Sequence, residues 1–107
     1  MHEDIIRAIA EKRLIEFDYR GQHRIAEPQV YGSKNSVVQL DLYQVGGESR
    51  TGGLPNWRRV NVNDITGLII RTDTFRGKRS VPVRQFSNFD SIFAIVDEIK
   101  LTPEARR

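Results

Sequence analysis

In Leu14-Ile15-Glu16-Phe17-Asp18-Tyr19, the apolar residues Ile15, Phe17 and Tyr19 fall on one face and Glu16 and Asp18 on the other. That period of two is the mark of a half-buried β-strand. Just upstream the period is different. Ile5, Ile6, Ile9 and Ala10 form a stripe at helical spacing, and Glu3, Arg7 and Glu11 stand four apart on the opposite side. This predicts a short helix over 3–12, with Glu3 and Asp4 at its positive end.

Downstream, alternation continues. Arg20-Gly21-Gln22-His23 reads as a turn, and Gly21 is free to take positive φ. Residues 24–31 are a second strand, in which Pro28 implies an edge or a bend. After a polar turn at 32–36, Val38, Leu40 and Leu42 alternate with Gln39, Asp41 and Tyr43 over 37–45. A Gly-rich loop follows at 46–56. Alternation resumes at 57–62, with Arg58, Val60 and Val62 opposed to Trp57, Arg59 and Asn61. Asn63-Asp64 turns the chain into an apolar, β-rich run at 65–71. Residues 72–86 show no period and form a basic connector.

The last segment returns to helical spacing. Phe89, Ile92, Phe93, Val96 and Ile99 recur at i, i+3, i+4, i+7 and i+10, with Ser87 and Asp90 as a rough capping box. A helix is expected over 87–100. The order helix, five strands, connector, helix predicts a mainly β domain. An antiparallel meander of this length removes its exposed edges by curling into a small five-stranded barrel.

The 107 residues suffice for one domain. No apolar run approaches the ~18 residues of a membrane span, and the acidic start Met1-His2-Glu3-Asp4 does not resemble a secretory signal. There is no Cys, which excludes disulfides, thiolate metal sites and a Cys nucleophile; a cytoplasmic setting is expected. Charge is segregated. Residues 1–49 carry six Lys/Arg against eight Asp/Glu, and residues 50–84 carry eight against two. Arg outnumbers Lys 13 to 4, and Arg suits bidentate contacts with phosphate or carboxylate. The middle block is thus either an anion-binding surface or a set of solvated side chains.

Several partial motifs resemble a WYL domain. Tyr19 precedes the turn at Gly21, Glu27-Pro28 matches a Glu-Pro segment, and Val38-Gln39-Leu40 stands where the family has Trp-Tyr-Leu. Leu42-Tyr43 takes the place of an Ala-Tyr pair, and residues 57–65 take that of the closing Arg-x-Phe-x-x-Asp-Arg-Ile stretch. The likeness spans roughly residues 3–71. It implies an Sm-like small β-barrel with an N-terminal helix, in a regulator that senses a nucleotide or nucleic acid in transcription or defence. Such domains usually follow a helix-turn-helix. This chain has no room for one, so a stand-alone member is expected. Val38 and Gln39 replace the signature Trp and Tyr, and Asp64 replaces an Arg.

The resemblance makes Arg58 an anion ligand at the barrel mouth; the alternative is an internal salt bridge to Glu27, Asp41 or Asp64. Arg50 lies in the Gly-rich loop, whose backbone amides could cradle a phosphate, although no Gly-Lys-Ser/Thr is present. Tyr43 is placed in a ligand pocket or in the core. Trp57 beside Arg59 is a pairing used on single-stranded nucleic acid, or else a packed Trp covered by an Arg. Arg76, Lys78 and Arg79 extend that basic surface or form a solvated turn.

No catalytic constellation, cofactor motif or metal-ligand spacing is present. Glu16, Asp18 and Asp41 hold a hard cation only if they meet across strands. The expected function is a non-catalytic module that binds nucleic acid or a nucleotide-like anion. The alternative is a protein-interaction or oligomerisation module, with a second copy or a regulatory protein as partner.

Overall fold

The structure is a computed structural model, and it describes residues 1–49, 53–79 and 89–97. Helix α1, His2–Glu11, buries Ile5, Ala8 and Ile9. It stops at Lys12, which turns left-handed (φ 55°) while its N–H reaches back to the carbonyls of Ala8 and Ile9. Strand β1, Arg13–Tyr19, starts at once and buries Ile15, Phe17 and Tyr19 as its alternation requires.

A two-residue turn at Arg20-Gly21, both with positive φ, returns the chain into β2, Gln22–Lys34. That pair of backbone angles matches the right-handed twist of a hairpin. Asn35-Ser36 repeats the device into β3, Val37–Gly47. Strand β4, Asn56–Asn61, pairs with β3, and a single 3₁₀ turn at Val62–Asp64 leads to β5, Ile65–Thr74. β5 returns to β1, giving the antiparallel order β4-β3-β2-β1-β5.

β2 is the spine. Its first residues, 22–26, pair with β1, and residues 24–34 pair with β3. Pro28 lies beyond the last β1 pairing, next to a register shift against β3, so its missing N–H falls where the ladder is already interrupted. The core lies against α1 and is built from Ile15, Phe17, Leu40, Leu42, Val60 and Ile65 with the helix residues.

Two expectations are corrected. The five strands form an open sheet, not a closed barrel: no hydrogen-bonded ladder joins β4 to β5 among the described residues. The Tyr19 hydroxyl, on β1, reaches the end of β4 instead, accepting the backbone N–H of Asn61 at 3.0 Å.

The helix expected over 87–100 is not formed across its centre. Ser91–Ile95 is a sixth strand, β6, paired with residues 30–33 of β2; Ser87 and Ile99 lie outside the described residues. The β2 edge beyond β1 needs a partner for its backbone groups. Ile92, Ile95 and Val96 are β-branched and suit that role. Asp90 does not close a capping box: its carboxylate accepts the N–H of Asn35, and its own N–H donates to the Ser33 carbonyl. Gly32 permits the approach, because a Cβ there would stand 2.3 Å from the Ser91 oxygen. Phe89 and Val96 are buried, whereas Ile92 and Phe93 remain 48% and 42% exposed.

Candidate functional site

Alternation along β3 and β4 sends Leu40, Leu42 and Val60 to the core and Asp41, Tyr43, Trp57 and Arg59 to the other face. On that second face, strand register sets Glu27 opposite Tyr43 and Tyr43 opposite Trp57, a row across three strands. The Tyr43 and Trp57 rings meet edge to face at 5.5 Å, a favoured aromatic geometry.

The segment after β5, a strap over residues 75–79, folds back over this row. The Arg79 guanidinium donates from Nε and Nη2 to the two oxygens of Glu27, at 2.6 and 3.0 Å. It also lies over the Tyr43 ring, 4.1 Å from its centre. Its pKa is raised, chiefly by the hydrogen bond to Glu27. Buried Gln29 grips the strap backbone from both sides, donating to the Gly77 carbonyl and accepting the Arg79 N–H. Asp97, at the end of β6, accepts the Lys78 N–H at 2.9 Å and pairs with Lys12. Gly77 has φ +132°, and a Cβ there would reach within 2.7 Å of the Asp97 carboxylate. Only glycine fits.

The result is a groove of about 300 Å³ lined by Glu27, Arg76, Gly77, Lys78 and Arg79. Arg76 and Lys78 are exposed at its rim. No carboxylate pairs with either side chain among the described residues.

Arg59 is placed differently from the sequence expectation. Its fork closes on Asp41 at 2.6 and 2.9 Å, and its guanidinium covers the Phe89 ring at 4.2 Å. Asp41 is fully buried, so this pair is part of the packing. Arg58 points the opposite way and donates to the Ser49 hydroxyl at 2.8 Å. The three carboxylates considered as its partners go elsewhere: Glu27 to Arg79, Asp41 to Arg59 and Asp64 to Arg20. Tyr43 joins the Trp57 row and not an Arg58 pocket. Arg50 lies outside the described residues.

Glu16, Asp18 and Asp41 do not converge on a cation. Asp41 is taken by Arg59, while Glu16 and Asp18 share His23, whose Nε2 and Nδ1 stand 3.1 and 3.0 Å from them. The His23 pKa is raised, first by the hydrogen bond to Asp18. The sequence reading missed this cluster. Its signal was the two-residue turn, which sets Asp18 directly opposite His23. Gln29 and Glu27, which hold the strap, carried no signal without the register. No helix among the described residues is long and apolar enough to cross a membrane.

No family model, curated protein or solved structure matches the chain.

Proposed function

We propose that this is a non-catalytic regulatory or ligand-sensing module that binds nucleic acid or a nucleotide-like anion on the second face of its sheet. The observation that carries the reading is the strap. It holds two exposed cations, Arg76 and Lys78, at the rim of a groove beside the Tyr43–Trp57 pair. Phosphates are attracted by such cations, and bases or ribose rings pack on aromatic and guanidinium planes. Arg59 and Arg79 brace the surface, each with its Nε/Nη2 fork occupied by a carboxylate.

The WYL resemblance favours the same class, and kinship with its Sm-like fold is part of the proposal, with the sheet here left open. A helix followed by four consecutive antiparallel strands, with β5 returning beside β1, supports that kinship. A cytoplasmic setting belongs to the reading and rests on the cysteine-free sequence.

The test is binding of a fluorescent single-stranded oligonucleotide at low and physiological salt. Wild type should bind, and affinity should fall steeply as salt rises. The double variant Arg76→Ala/Lys78→Ala should lose most of the binding and reduce the salt slope by about two. Absence of binding at low salt overturns the reading. A second reading, a protein-interaction module, is favoured by the exposed Ile92 and Phe93 on β6; it predicts self-association or partner binding that persists in high salt.

A further inference from the structure

The groove contains an arginine whose Nε/Nη2 fork is already committed. Arg79 spends Nε and Nη2 on Glu27 and one π-face on Tyr43. Glu27 has only 8% of its side chain exposed. A phosphate that took its place would leave a buried carboxylate without its counter-charge, a costly exchange. Yet 43% of the Arg79 side chain remains exposed. With its inner face on Tyr43 and one edge on Glu27, what is left is the Nη1 edge and the outer π-face. That plane is held flat from below by a tyrosine and from the side by a bidentate carboxylate.

We propose that Arg79 is a stacking plate for a nucleobase, and that the groove takes one nucleotide unit with its base on Arg79 and its phosphate toward Arg76 and Lys78. This rests on the binding function proposed above and specifies the chemistry of that site. Guanidinium planes stack on bases, and a plate already clamped loses little freedom on binding. Gly77 leaves the groove wall between the rim cations without a side chain, and the groove volume of about 300 Å³ is at the small end for ligand sites. The unit is either a free nucleotide or one residue of a single strand; both present the same base and phosphate.

The experiment compares ligands with and without a base by calorimetry at low salt. The probes are adenosine 5′-monophosphate against ribose 5-phosphate, and an adenine hexanucleotide against the same hexamer with abasic residues. Wild type should bind the base-bearing member of at least one pair about 5- to 100-fold more tightly. The pair that shows this names the source. Arg79→Lys keeps the charge beside Glu27 but removes the plane. It should bring the base-bearing ligand down to the level of its abasic partner.

Equal binding of both members of each pair by wild type overturns the stacking plate, whether or not any variant folds. So does an equal loss of both ligands in Arg79→Lys. If Trp57→Leu abolishes the base preference while Arg79→Lys keeps it, the base sits on Trp57 and the proposal is wrong. In each of these outcomes the wild type still binds phosphate, so the binding function stands. If no probe binds, it is the binding function that fails, and the stacking plate with it.

Discussion

Replacing Arg59 with Ala should unfold this protein more readily than any other single change on the second face. The carboxylate of Asp41 is fully buried, and both of its oxygens are met by Arg59, at 2.6 and 2.9 Å. Removing the guanidinium strands a buried charge, which costs about 3–5 kcal/mol. A domain of this size has about 5–15 kcal/mol in total, and each kcal/mol moves the melting temperature by about 4 °C. The expected fall is therefore roughly 12–20 °C by circular dichroism. Arg58→Ala, one residue away, loses a half-buried contact to Ser49 and should cost about 0.5–1.5 kcal/mol. The paired change Arg59→Met/Asp41→Leu removes both charges and should regain most of the stability, because the penalty comes from the unpaired ion. The reasoning fails if Arg59→Ala melts like wild type, or if the paired change is as unstable as the single one.

The other perturbations reach different parts of the fold. His23 should titrate above its usual ~6.5 in an NMR pH series, and Asp18→Asn should lower it. Because the folded value is raised, the stabilisation this cluster supplies is complete below the unfolded pKa and is lost as pH rises through the folded one; a midpoint at or below ~6.5 contradicts the geometry. Gly32→Ala places a methyl group against the Ser91 carbonyl and should cost about 1–3 kcal/mol. Faster hydrogen exchange at the Asp90 and Val96 amides, both bonded to β2 carbonyls, would locate the damage; unchanged exchange would mean that β6 does not dock there. Phe93→Ala should cost only about 0.5–1.5 kcal/mol, because the ring is 42% exposed and meets Tyr31 and His2 by its edges; a loss of ~3 kcal/mol in thermal melts would restore a buried ring.

What could be read directly from the residues was the local alternation. Ile15, Phe17 and Tyr19 on one side of β1, and Leu40 and Leu42 on one side of β3, needed only a period of two and a turn at Gly21. The stretch 89–99 misled because apolar spacings of three and four over a short window also suit a strand with both faces partly covered. What decides is an unfilled edge on β2 some sixty residues earlier, and that edge exists only because the pairing of β2 with β1 ends at Ala26. The site had the same dependence. Trp57, Arg79 and Tyr43 were each visible as types, but their meeting requires the register of three strands and a strap held by Gln29.

The segregated charge also looks different once the strands are paired. The acidic first half and the Arg-rich middle block are two sides of one set of bonds: Glu16 with Arg71, Glu27 with Arg79, Asp41 with Arg59. Each bond joins residues from strands or straps that meet only in the folded sheet. A guanidinium with a rigid fork fits such cross-sheet carboxylates better than an ammonium, which accounts for the excess of Arg over Lys in physical terms. The same pairing narrows the basic surface. Of the eight Lys/Arg in 50–84, Arg59, Arg71 and Arg79 are committed to carboxylates, Arg58 turns to the core side, and Arg50 and Arg84 lie outside the described residues. Arg76 and Lys78 remain. A net charge spread over the whole block would attract any polyanion weakly, whereas two exposed cations in the groove that holds one clamped guanidinium are what the proposed nucleotide site would use.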